Sequence, residues 1–276
     1  MSHPADDQPP VRLAVGDSLA DAVTILDDTA HDLIDPGARL TRLTGGGIWA
    51  EGPVYLPGED AVMYSDVRAN RAMRWSSREG QTVWREPNDQ TNGNTLDREG
   101  RVVHCDHANR RVARTERDGT RTGLVDSYGG KRLNSPNDVV VKSDGSIWFT
   151  DPPYGIIFPE EGTSAPQEQP ACHVFRLDPE RGELTAVSAE VIHPNGLAFS
   201  PDESQLYVSD TSAVVDPSQN HHIVVFDVVD GARLERMRVL TVMEPGFADG
   251  LRVDEHGNVW SSAGDGIHVI GPDGTD

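Results

Sequence analysis

From Leu40 onward, apolar and polar residues alternate over short stretches, and turn-forming residues close each stretch. A period of two is the mark of half-buried strands. Val62-Met63-Tyr64-Ser65-Asp66, Val102-Val103-His104-Cys105-Asp106, Ile147-Trp148-Phe149-Thr150-Asp151, Leu206-Tyr207-Val208-Ser209-Asp210 and Val259-Trp260-Ser261-Ser262 read this way, and all but the last end in Asp. Each follows a turn rich in Asp, Gly or Pro. Each turn follows a strand that opens on a polar residue, namely Glu51, Asn94, Asn137, Asn195 or Asp249. Helical period appears only near the start of the chain. Leu19, Ala22, Val23, Leu26 and Ala30 recur at helical spacing and predict a helix within Leu19–Leu33.

The five opening residues lie 43, 43, 58 and 54 positions apart. A repeat of about 40–50 residues holding three or four strands is the signature of a β-propeller. A sandwich or barrel explains strands and turns but not a polar residue at the same place in every unit. In a propeller the innermost strand of each unit lines the central channel. Glu51, Asn137, Asn195 and Asp249 are then neighbours at the axis. Residues 1–36 are expected to form an N-terminal extension and residues 37–276 the propeller.

Two carboxylates and two amides converging on one channel are oxygen donors, the ligand set of a hard divalent cation. Without a cation, one of the two carboxyls must hold a proton. The plainer reading is that these residues cap turns between blades. Their recurrence at equivalent positions favours the shared site. His104-Cys105-Asp106-His107 has the residue types of a transition-metal cluster. On a strand, however, His104 and Asp106 face away from Cys105 and His107. Gly45-Gly46-Gly47 leads into a strand and makes no phosphate loop, and no Gly-x-Ser-x-Gly elbow is present.

Charge removes whole classes of function. The chain of 276 residues carries 24 Lys and Arg against 45 Asp and Glu, a formal net charge of −21. That argues against sequence-independent nucleic-acid binding and against docking on anionic lipid. The first ten residues have no apolar core and read as no secretory signal. The compartment stays open between cytoplasm and periplasm. Cys105 and Cys172 read as small buried strand residues and make no disulfide framework.

The runs Ala50-Glu51-Gly52-Pro53, Ser135-Pro136-Asn137-Asp138-Val139, Phe149-Thr150-Asp151-Pro152-Pro153-Tyr154-Gly155, His193-Pro194-Asn195-Gly196-Leu197 and Ala248-Asp249-Gly250 together resemble the SMP-30/gluconolactonase family, over about residues 35–270. The Asp151-to-Gly155 loop is most similar to that of the bacterial gluconolactonases. The resemblance implies a six-bladed propeller that hydrolyses a sugar lactone with one axial divalent cation, Ca²⁺ first, with Mg²⁺, Mn²⁺ or Zn²⁺ as alternatives. It implies Glu51, Asn195 and Asp249 as ligands, Asp249 also as catalytic base, and Asn137 in the same shell or one water away. Asn94, Asn137, His107 and Tyr154 are read as substrate contacts, and Asp210, Asp151 and His107 as rival bases. Where some family members carry an arginine two residues before the channel asparagine, this chain has Ser135, so sugar specificity does not carry over. The Pro/Glu-rich insert reaching to about Gln169 is expected to form a lid. Five units are counted where six blades are implied, and residues 38–43 read as a single strand. The expectation is therefore a sixth blade without its C-terminal strands, the alternative being a closed ring of five. Competing functions are a calcium-dependent organophosphate or aryl-ester hydrolase, a strictosidine-synthase-like propeller, and a non-enzymatic propeller that binds a protein or glycan.

Overall fold

The computed structural model describes residues 13–20, 22–26, 31–35 and 37–275. Five antiparallel sheets of three or four strands follow one another along the chain, each with its strands in sequence order, beside two two-residue ladders. The first comprises Ala50–Leu56, Ala61–Asp66, Arg71–Ser76 and Gly80–Arg85. The second comprises Thr91–Leu96, Val102–Asp106, Arg111–Thr115 and Arg121–Val125. The third comprises Val139–Val141, Ile147–Asp151, His173–Asp178 and Glu183–Ser188. The fourth comprises Pro194–Phe199, Gln205–Asp210, His222–Val229 and Arg233–Val242. The fifth has three strands, Leu251–Val253, Val259–Ser262 and Ile267–Ile270. Among the described residues this is a β-propeller of five blades with almost no helix, where six blades were expected.

The core lies between sheets, because the alternating sides of each second strand face opposite neighbours. Phe149 packs toward the second sheet with Val103, Cys105 and Val112. Trp148, the next residue back, packs toward the fourth with Leu197, Leu206 and Phe226. Trp148 is fully buried, and its indole N–H donates to Ser146 Oγ at 2.9 Å. Truncating a buried side chain of that size costs about 3–5 kcal/mol, so the single strand Ile147–Asp151 ties three sheets together.

The helix expected over Leu19–Leu33 is not formed in the described residues. Leu19 pairs with Leu40 in a two-residue ladder, and residues 22–26 are exposed and irregular; residues 21 and 27–30 lie outside the described residues. A short amphipathic helix is marginal in water unless its apolar face is covered, and here Val23, Ile25 and Leu26 face solvent. Leu40–Thr41 joins Ser18–Leu19 and not the fifth sheet. Cys105 and Cys172 are both buried free thiols, but Cys172 precedes its strand instead of lying in it. Among the described residues no helix is long and apolar enough to cross a membrane.

Candidate metal and active site

In three of the five sheets the inner strand reaches the axis through a break in its pairing. In the first sheet Glu51 pairs with Ser65, and the next pair is Val54 with Met63. In the second, Thr91 pairs with Asp106 and then Asn94 with His104; in the fourth, Pro194 pairs with Asp210 and then Leu197 with Val208. One residue is left over each time. Such a bulge bends the strand and re-aims its side chains. Counted from the pair formed with the closing Asp, the equivalent residues are Glu51, Asn92 and Asn195, joined by Asn137 and Asp249. All five line one cavity of about 360 Å³. Its walls run from residues 50–53 on one side to Trp260, Ser262 and Ile267 of the fifth sheet on the other.

Glycines following these residues set how closely the inner strands approach. A Cβ on Gly93 would stand 2.5 Å from Asn137 O and 2.7 Å from Asp138 Cα. Gly52 abuts the backbone of Asn92, and Gly196 that of Asp249. Gly250, at the same place in the fifth sheet, has nothing within 4 Å of its Cβ position.

Asn137 Nδ2 lies 2.5 Å from Asn195 Oδ1, joining the third and fourth sheets. Burial, then the charges of Asp249, Asp138 and Glu161, push the Glu51 carboxyl well above the usual range. Burial also raises Asp249 to about 6 against a hydrogen bond from Asn195, with Asp138 and Glu161 adding to the rise. Two carboxyls that resist ionising beside amide oxygens are an under-neutralised oxygen cage, and such a donor set fits a hard cation. Among the described residues no group of three or more His, Cys, Asp or Glu side chains is gathered as a metal cluster.

The other predicted residues separate from this cavity. Asn94 does not line it. Its amide donates to Gly52 O at 3.0 Å and Ser65 Oγ at 2.8 Å, and its Oδ1 meets His104 Nδ1 at 2.8 Å. Asn92 takes the place assigned to Asn94, because the bulge shifts the register within that strand. Counting back from Asp106, as from the other closing Asp residues, is the signal in the sequence. His107 is fully buried behind Asn137 and does not line the cavity. Its Nδ1 lies 3.1 Å from Glu161 O and its Nε2 3.2 Å from Asn137 Oδ1. Tyr154 is buried too. Its hydroxyl donates to Thr211 O at 3.2 Å and its ring meets His193 edge-on. His104 stands apart from His107, held by Asn94 and by Thr115 Oγ1 at 2.7 Å.

The closing Asp residues have a different task from the base considered for Asp151 and Asp210. Asp66 Oδ1 accepts the N–H groups of Ile48 and Trp49, both at 2.9 Å. Asp151 accepts those of Asn134 at 2.8 Å and Ser135 at 2.9 Å, and Asp210 those of Ile192 and His193, both at 3.2 Å. Each carboxylate clips the loop leading into its own inner strand. All three are fully buried and absent from the cavity lining.

The insert after Asp151 is fastened to neighbouring parts of the chain at several points. Glu161 Oε1 accepts from Arg68 Nη2 at 2.7 Å, and the same guanidinium lies 4.0 Å over the Trp49 ring. Gln90 Nε2 donates to Glu160 O at 3.2 Å, and Gln169 Nε2 donates to Lys131 O at 3.0 Å. Sequence reasoning did not foresee the Arg68–Glu161 tie, which joins residues 93 positions apart.

Residues 49–276 match the SMP-30/Gluconolactonase/LRE-like region. The gluconolactonase of Zymomonas mobilis is 32% identical over 249 residues, which is 82% of this chain and 67% of that enzyme. The pentonolactonase XacC of Haloferax volcanii is 28% identical over 88% of this chain and 72% of its own length. The solved structure of a gluconolactonase from Xanthomonas campestris superposes with a TM-score of 0.86 at 37% identity, covering 98% of this chain and 87% of that one. With a five-sheet propeller, an oxygen-lined axis and a match across most of its length, the chain belongs to the SMP-30/gluconolactonase/LRE-like family.

Proposed function

We propose that this protein is a metal-dependent lactonase that opens a sugar lactone of the glucono-δ-lactone kind. The observation that carries the reading is the convergence of Glu51, Asn137, Asn195 and Asp249, from four separate blades, on one cavity. The lactonases among its relatives support the substrate class.

Glu51, Asn195 and Asp249 would hold the cation, Ca²⁺ in the first instance, leaving the cavity side open to water and substrate. When bound, the cation supplies Lewis acidity to the lactone carbonyl and to the attacking water. Asp249 accepts the proton as the water oxygen bonds to the carbonyl carbon. It returns that proton to the ring oxygen when the ring C–O bond breaks, which yields the open-chain hydroxy acid. Asn137 stands beside Asn195 and orients the water or the substrate carbonyl. Asn92 presents a further polar group to the sugar from the second sheet.

The test is hydrolysis of glucono-δ-lactone by the purified chain, after chelator treatment and again after Ca²⁺ or Mg²⁺ is returned, beside a phosphotriester. Lactone turnover that falls with the chelator and returns with the cation is expected, with little turnover of the phosphotriester. Turnover indifferent to the chelator, or greater on the phosphotriester, overturns the reading.

A further inference from the structure

The buried imidazole of His107 faces two oxygens. Glu161 O is a backbone carbonyl and only accepts, so the 3.1 Å contact requires a proton on Nδ1. The other nitrogen, Nε2, lies 3.2 Å from Asn137 Oδ1, also an acceptor. Satisfying both contacts would need a doubly protonated ring. The ring is fully buried, and its two hydrogen-bond partners are one backbone carbonyl and one amide, neither of which carries the negative charge that would hold a second proton there. At neutral pH it therefore has one N–H, and the Glu161 carbonyl takes it.

A half-turn of the Asn137 amide removes the conflict, since the two amide orientations differ only in the exchange of oxygen and nitrogen. Asn137 Nδ2 then donates to the bare Nε2, and Asn137 Oδ1 faces Asn195 across the 2.5 Å contact. Asn195 must answer with its own N–H, which turns its Oδ1 toward Asp249, the neighbour it otherwise bonds as a donor. Two oxygens facing each other there need a cation or a proton between them.

We infer that His107 is a positioning residue. The Glu161 carbonyl fixes its tautomer, and the ring, through Asn137, turns the Asn195 carbonyl oxygen toward Asp249 to complete the oxygen cage. This rests on the proposed cation site for its purpose but not for its geometry. The control runs from the insert backbone through an imidazole and two amides to the axis. The ring touches neither substrate nor cation. Partners behind a ligand typically alter metal affinity by about 10–100-fold, and His107 acts on Asn195 through the Asn137 amide.

The first test is long-range ¹H–¹⁵N correlation on the ¹⁵N-histidine-labelled protein at neutral pH, with and without Ca²⁺, His107 being identified by its absence in His107→Phe. The expected result is a ring protonated on Nδ1 and bare on Nε2. A proton on Nε2, alone or with Nδ1, overturns the inference. The second is Asn137→Asp, which removes the amide N–H and is expected to move a proton onto Nε2. An unchanged ring there overturns the pairing. The third is calorimetric titration of Ca²⁺ into folded His107→Phe, expected to bind about 10–100-fold more weakly than the parent. Undiminished affinity in a folded variant overturns the positioning role. If the parent chain binds no cation, the function proposed above fails, while the two spectroscopic tests still decide the tautomer.

Discussion

Gly93→Ala tests whether the approach of the inner strands sets the site. A methyl group there would stand 2.5 Å from Asn137 O and 2.7 Å from both Asp138 Cα and Oδ1, so the strands must part by about 1 Å to reach ordinary contact. Two of these three atoms are backbone, so no side-chain rotation relieves the clash. Gly93 is not in the left-handed region, so the damage comes from contact and not from a forbidden conformation. The hydrogen bond from Gly93 N to Asn137 O, now 2.7 Å, is stretched by the same movement. Overpacking of this kind costs about 1–3 kcal/mol, or a drop in Tm on the order of 5 °C for a chain of this size. Asn137 moves with its backbone, and a displacement near 1 Å at a reacting centre costs on the order of 10²-fold in rate. Differential scanning calorimetry and lactone hydrolysis at saturating Ca²⁺ measure the two effects. Gly250→Ala is the control for stability, because its Cβ meets nothing within 4 Å, and its Tm is expected to stay level or rise slightly. A Gly93→Ala protein that melts and turns over like the parent would refute the claim that strand contact sets the cavity.

Further outcomes follow from the charges. Asp249→Asn is expected to keep the fold, by circular dichroism, and lose on the order of 10²–10⁴ in turnover; parental turnover at saturating metal removes Asp249 as the base. Glu51→Gln is expected to raise the Ca²⁺ concentration needed for half-maximal activity, with partial rescue by excess metal; an unshifted metal titration removes Glu51 as a ligand. Asp249 is raised to about 6 when folded, so without metal the folded chain holds its proton more tightly than the unfolded chain does, and this group's contribution to stability falls as pH rises from about 4 through 6. In chelator, the Tm of Asp249→Asn minus that of the parent is therefore expected to be larger at about pH 7.5 than at about pH 5, the comparison cancelling the buried histidines that titrate in the same window. A difference independent of pH contradicts the raised carboxyl.

Much of the architecture is readable in the chain because each blade repeats its own local physics. Period-two strands, turns and a polar opening residue recur, and four of the five opening residues picked out in this way line the cavity. Asn94 lies outside the cavity that the others line because strand register depends on a bulge that only pairing with Val102–Asp106 reveals. The helix over Leu19–Leu33 fails because periodicity describes a face, not the surface that must cover it. His107 looked available from its place at a strand end. Its burial follows from Glu161, 54 residues later, whose insert closes over it. Long-range contacts of that kind leave no local trace.

The closing Asp residues bear on how such a protein changes over generations. In the third blade 21 residues separate Asp151 from His173, yet those two remain directly paired. Asp151 also still holds the backbone of Asn134 and Ser135. The lead-in to the inner strand is thus secured before the long excursion begins, and the length and sequence of the excursion do not bear on it. A rim segment anchored in this way can be lengthened, shortened or exchanged without unpinning the inner strand, so long as a backbone carbonyl in the place of Glu161 O still meets His107. Rim sequence can then diverge one blade at a time, with the few contacts that reach the axis as the constraint on what may change.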